Sequence, residues 1–246
     1  MMAIELETAV LVGVVVVLAY TVFGLTGFGS SITAMPLLVQ LIPLHTAVAM
    51  MLIFDLAGGL LLGLKNRRMV ERRELLRLVP MMLVGMGIGI VVLVNAPERL
   101  LLLTLGGFIL AYSAWSLLFN PRLEIIRSAW AMPLGIIGGV FTALFGTGGP
   151  IYTIYLARRL PDKLVLRATI SSLIFISGLS RLVLFTGAGL YHQHSLLLLA
   201  AVLLPFALGG LYLGNHLHGK LAPSRVVQVI WVILIGGGAS LILRNW

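Results

Sequence analysis

Two short stretches hold most of the residues in this chain that could do chemistry. GLTGFGSS runs from Gly24 to Ser31 and ALFGTGGP from Ala143 to Pro150, and each interrupts a long apolar run. A half-helix that begins after such a break presents N–H groups without intrahelical acceptors, and its dipole adds partial positive charge there. Glycines at 27, 29, 146, 148 and 149 let a ligand approach the backbone, and Thr26, Ser30, Ser31 and Thr147 add hydroxyl donors. The chemistry that fits is capture of a small anion by Thr26, Gly27, Gly29, Ser30, Ser31, Gly146, Thr147, Gly148 and Gly149. The competing reading is that the glycines only let helices pack closely, as small residues do in membranes. Two breaks at matching places in two halves favour the site.

Three ionisable residues fall inside apolar runs. Asp55 lies about ten residues from either end of its run, near mid-bilayer, where a charge is costly and usually functional. It is expected to take up a proton in a coupled cycle or to orient a partner, and Arg181 is the candidate for pairing. Snorkelling toward the interface explains Arg181 equally well. Arg167 reads as a topology anchor. Thr169, Ser171, Ser172, Ser177 and Ser180 crowd one stretch, where they either line a path or bond to their own backbone. Of these, Ser171 and Ser172 are assigned to the anion site. His45, His192, His194, His216 and His218 lie at run ends and read as interfacial. Tyr20, Tyr112, Trp115, Trp130 and Trp246 read as interfacial belts or packing. The chain has no cysteine, and no P-loop or nucleophile–base set is visible, so no catalytic residue, metal site or cofactor is expected.

The elements that must position these residues are membrane helices. Of 246 residues, 60% are hydrophobic and 10% charged, with a mean hydropathy of +1.10, which excludes an ordinary soluble domain. The net charge of +9 would suit nucleic acid, but the basic residues sit in short loops between apolar runs. That is the positive-inside pattern, so the expected partners are a small anion and the lipid bilayer, not nucleic acid. The pattern also permits a homo-oligomer. No A-x-A-like cleavage site follows the first run, so no signal peptide is expected.

Eight apolar segments can be read: Thr8–Leu41 (broken), His45–Leu64, Leu75–Val94, Arg99–Phe119, Trp130–Leu156 (broken), Leu164–Thr186, Ser195–His216 and Ser224–Leu243. As one helix the first would be about 50 Å long, well beyond a hydrocarbon core of about 30 Å. It must tilt steeply, or break at Gly24–Ser31 and turn back. Loop charge separates the two. KNRRMVERRELLR, after the second segment, carries six basic residues against two acidic and is expected to be cytoplasmic. The loop after the fifth holds Arg158, Arg159, Lys163 and Arg167, while QLIPLH and GAGLYHQH have no Lys or Arg. Every loop falls on its expected side only if segments one and five are re-entrant. Both termini are then external.

The fold class expected is therefore an all-α polytopic membrane protein of two inverted repeats, residues 1–122 and 123–246, each of four hydrophobic segments with the first broken. Pro80, Gly85 and Gly89 match Pro205, Gly210 and Gly214 at a constant offset, and Ala96-Pro97 matches Ala222-Pro223. Proline in a first helical turn loses no intrahelical bond, so the last pair marks helix starts.

GLTGFGSSITAMPLL (Gly24–Leu38) and GVFTALFGTGGPIYTIYL (Gly139–Leu156) resemble the paired signatures of the TauE/SafE family of sulfite-exporter-like transporters, also described as sulfonate permeases. After each break that family usually carries an A-x-x-T-S-like stretch. Here Ala168 precedes Ser171-Ser172, whereas Ala47 precedes Met50-Met51. Ser30-Ser31 and Pro150 stand where the family often has glycine. The resemblance covers the whole chain. It implies movement of a small, often sulfur-containing anion such as sulfite or a sulfonate across the cytoplasmic (inner) membrane. The alternatives are an anion channel of the same architecture, or an intramembrane enzyme or assembly subunit using Asp55 or the histidines as acid and base.

Overall fold

The computed structural model describes residues 6–65, 67–118, 125–187, 194–217 and 223–246. Among them are ten α-helices and no strand: α1 (Leu6–Thr26), α2 (Ser30–Leu38), α3 (Leu44–Lys65), α4 (Arg72–Asn95), α5 (Glu98–Leu118), α6 (Ala131–Phe145), α7 (Gly148–Leu156), α8 (Lys163–Gly187), α9 (His194–Leu217) and α10 (Pro223–Asn245). Hydrocarbon offers no partner to a backbone N–H or C=O, so apolar runs of this length close their hydrogen bonds internally as helices. Seven of the described helices are long and apolar enough to cross a membrane. Large apolar side chains such as Leu76, Val91, Val183 and Val202 point outward, as a lipid solvent requires.

Both breaks appear where the glycines stand. α1 stops at Gly27, whose φ is +85°, and α6 stops at Gly146, whose φ is +72°. Only glycine holds this left-handed conformation without a Cβ penalty. At the second break the N–H groups of Gly146 and Thr147 donate to the carbonyls of Thr142 (2.9 Å) and Phe141 (3.3 Å), which closes the helix end. Nine-residue helices, α2 and α7, then lead away.

Contacts between helices give their relative directions. Arg99 at the start of α5 donates to the Asn245 carbonyl at the end of α10. The start of α3 meets the start of α5 and the end of α4, through Leu44 N–H to Glu98 (3.0 Å) and His45 against the Leu93 carbonyl. At the other end of the bundle, Glu71 N–H before α4 donates to Thr169 early in α8, and Arg167 reaches Asn215 late in α9. α3 and α8 run antiparallel, with Gly59 against Phe175 and Arg181 against the Val48 carbonyl.

The long arms of the two broken segments each lie parallel to a helix of the opposite half. Gly210 and Gly214 of α9 press on the backbone of α1 at Val17 and Thr21. Gly85 and Gly89 of α4 press on α6 at Ile136 and Val140. The spacing from Val17 to Ile136 equals that from Thr21 to Val140. The repeated Pro-Gly-Gly pattern is thus a pair of seats for the arms, since only glycine admits a backbone at this distance. The arms are also longer than the hairpin reading implied: α1 has 21 residues, about 30 Å of helix, and is as long as a full span. Because α1 follows α9 and α6 follows α4, each short helix returns toward the end of the bundle from which its arm set out.

Candidate functional site

Asp55 sits halfway along α3 and is 3% exposed. Its Oδ1 accepts from the Tyr20 hydroxyl of α1 (2.7 Å) and from Ser30 of α2 (2.8 Å). Its Oδ2 accepts from Ser31 (3.2 Å) and lies 3.7 Å from Nη1 of Arg181 on α8. A buried carboxylate needs such partners, because an unpaired charge in apolar surroundings is prohibitively costly. Arg181 is 1% exposed, donates to the Val48 carbonyl (3.2 Å), and stacks on the Phe185 ring with 5.2 Å to the centroid. Of the two sequence readings of Arg181, pairing and snorkelling, the geometry is that of pairing: its head is held inward by Asp55 and Val48.

The second break meets the first at this pair. A Cβ built on Gly146 would lie 2.6 Å from the Ser31 hydroxyl and 3.2 Å from Arg181 Nη1, and one on Gly149 would lie 3.3 Å from Phe28 Cβ. Between them is a small polar pocket of about 20 Å³ whose walls include Ser30, Ser31, Asp55, Gly146, Thr147 and Arg181. The Thr147 hydroxyl is buried there and has no hydrogen-bond partner among the described residues. In α2 the first intrahelical bond runs from Thr33 N–H to the Gly29 carbonyl, so the N–H groups of Ser30, Ser31 and Ile32 precede it. In α7, Pro150 has no N–H to leave unpaired, which suits a first turn.

Of the residues named from sequence, Gly29, Ser30, Ser31, Gly146, Thr147, Gly149, Asp55, Ser177 and Arg181 share this pocket. The others lie around it. Thr26 closes its own break, bonding to the carbonyls of Val22 and Phe28. Gly27 faces Arg167 and Ser171, whose hydroxyl donates to the Gly27 carbonyl at 3.3 Å. Gly148 packs on Thr142 and Gly138 of α6, so for this glycine close packing is the role the structure gives. Ser172 is half-buried and does not line the pocket.

Two further sequence readings change. Arg167, read as a topology anchor, is buried and donates to the Gly24 carbonyl at the end of α1, so it secures the first break. Tyr20, read as belt or packing, is fully buried on Asp55. Its place well inside an apolar run, away from either interface, was the available signal. Of the hydroxyls read as either lining a path or bonding to their own backbone, Ser177 and Ser180 bond to carbonyls of α8, and Ser177 also lines the pocket. Sequence reasoning did not single out Thr142 and Tyr152, whose hydroxyls lie 2.9 Å apart in the pocket wall. Among the histidines, 192 and 218 lie outside the described residues. No group of three or more potential metal ligands occurs among the described ones.

A second buried polar cluster lies at the end of the bundle that carries the basic loop. Glu74, 4% exposed, accepts from Tyr155 (2.5 Å), Arg77 (2.7 Å) and Arg159 (2.9 Å). It joins α4 to the far end of α7.

Comparison with known proteins agrees with these elements. The family model Sulfite exporter TauE/SafE matches residues 12–241. A probable inner membrane transporter protein, TsaS of Comamonas testosteroni, is 28% identical over 204 residues, covering 80% of this chain and 83% of that protein. No solved structure matches. With both glycine breaks, Asp55 and Arg181 inside the matched range, this multi-pass membrane protein is a transporter that belongs to the sulfite exporter TauE/SafE family.

Proposed function

We propose that the chain is a secondary transporter of small anions, and that the anion binds where the starts of α2 and α7 meet Arg181. One observation carries this reading: donors from two half-helices and a buried guanidinium converge on a single polar pocket. In the resting arrangement Asp55 supplies the negative charge, engaging Ser30, Ser31 and Arg181. An incoming anion competes for the same donors, so Asp55 must move aside or take a proton. In the second case anion binding is coupled to proton uptake at Asp55. Sulfite and sulfonates have the charge and oxygen geometry for such donors, and family membership supports them.

The two halves, residues 1–122 and 123–246, then act as inverted repeats whose broken segments enter from opposite faces, with both termini outside and the basic loops in the cytoplasm. A pocket of about 20 Å³ favours a carrier over an open pore. The test is uptake and counterflow of labelled sulfite and methanesulfonate in proteoliposomes with wild type, Arg181→Gln and Thr147→Val. Saturable flux that Arg181→Gln abolishes is expected. Native flux in a correctly folded Arg181→Gln protein would remove the site from this pocket.

A further inference from the structure

The Glu74 cluster stands at the opposite end of α7 from the tip pocket. α7 has nine residues, about 13 Å of helix, with Gly149 at its start in the pocket wall and Tyr155 near its end on Glu74. Just past that end, Arg159 donates to Glu74 through both Nε (3.1 Å) and Nη2 (2.9 Å). Its Nη1 donates to the Ile126 carbonyl ahead of α6 (3.1 Å). One carboxylate, acting through Arg159, thus fastens the chain on both sides of the α6–α7 hairpin to α4. Glu74 is buried in the first turn of α4, where the helix dipole favours a negative charge, and its bonds to charged donors are strong. The far end of α2 differs. Gln40 is the counterpart of Arg159 by spacing, since Arg159 follows Gln40 as Ile136 follows Val17. Its Oε1 accepts from Ser240 (3.2 Å) and, at a long 3.4 Å, from the exposed Arg244, beside a hollow of about 200 Å³.

We propose that the Glu74 cluster is the gate on the side of the basic loop. α7 runs from the tip pocket to that end of the bundle, and the pocket opens there only when Tyr155 and Arg159 leave Glu74. The short helix then moves as one piece about the glycine turn at Gly146. The looser contact at Gln40 yields first, so the resting protein admits an anion from the opposite side, the outside in the orientation above. This rests on the transport reading and adds the step that controls passage to and from the cytoplasm.

With no native cysteine in the chain, Thr147→Cys, at a position 1% exposed in the pocket wall, reports the opening of the pocket. The test measures how fast a membrane-impermeant thiol reagent modifies it in right-side-out and inside-out vesicles without added anion. With Glu74 in place, modification is expected to be faster from outside. Adding Glu74→Gln should raise the rate in inside-out vesicles by about tenfold, the factor that loss of one charge-assisted hydrogen bond gives, without raising the outside rate. A brace that only stabilises the fold would lower the melting temperature and leave the two rates in the same ratio. An unchanged inside rate in folded Glu74→Gln overturns the gate, as does an equal rise from both sides or a parent modified faster from inside. Should Glu74→Gln misfold, Arg159→Gln carries the same expectation and the same refutation. Protection of Thr147→Cys by added sulfite or methanesulfonate is a separate arm: its absence refutes the anion site and leaves the gate standing.

Discussion

Arg181 Nη1 and Asp55 Oδ2 lie 3.7 Å apart on two antiparallel helices, both side chains almost wholly out of solvent. They come from opposite halves of the chain, and the serines of the first break close over the same carboxylate. The pair therefore ties α3, α8 and α2 together at the point where the second break arrives.

Asp55→Asn leaves the Arg181 guanidinium without its counter-charge. Breaking one partner of a buried ion pair costs about 3–5 kcal/mol, so the purified variant should melt well below wild type in anion-free buffer. Adding Arg181→Gln should restore part of the loss. Equal melting of all three proteins would show that the pair does not hold the resting state.

Tyr20→Phe keeps the ring packed on Phe23 and Phe54 but removes the hydroxyl that donates to Asp55. Hydrogen bonds to charged groups contribute about 1.5–3 kcal/mol, and a destabilisation in that range is expected in denaturant unfolding. No change would mean that the hydroxyl is dispensable.

Gly146→Ala meets two obstacles. Its φ of +72° disfavours a Cβ by about 1–2 kcal/mol, and that Cβ would lie 2.6 Å from the Ser31 hydroxyl. Expression and melting temperature should both fall. Gly87→Ala is the control: nothing lies within 4 Å of its Cβ, and replacing a helical glycine there should be neutral or stabilise by up to about 1 kcal/mol.

Around Glu74 the order of effects follows burial. Glu74→Gln weakens the bonds from Arg77 and Arg159 together and should cost about 1–3 kcal/mol. Arg77→Gln should cost less than about 1 kcal/mol, because that side chain is 41% exposed. Thermal unfolding of the two variants side by side checks the ranking, and a reversed order would contradict it.

The chain has no native cysteine, so single cysteines report topology cleanly. A membrane-impermeant thiol reagent is expected to reach a cysteine at Trp246 from outside intact cells. At Arg68 it should react only after the membrane is opened. Labelling of both from the same side would refute the assigned orientation.

The sequence by itself determined the solvent and the places where the helices stop. Lipid offers the backbone no hydrogen bonds, so run length and composition dictate membrane helices, and a left-handed turn after Phe145 requires the glycine found there. The Pro-Gly-Gly repeats of α4 and α9 were legible as a pattern. That they seat α6 and α1 was not, because a seat is defined by its partner's backbone. Tertiary structure alone decided which small residues face the pocket: Gly149 faces it, whereas neighbouring Gly148 turns onto α6, a one-residue rotation that composition cannot encode. It also decided that Tyr20, 35 positions before Asp55, closes the carboxylate's shell. Partners for a buried charge are chosen by proximity in space, and the chain carries no local mark of that choice.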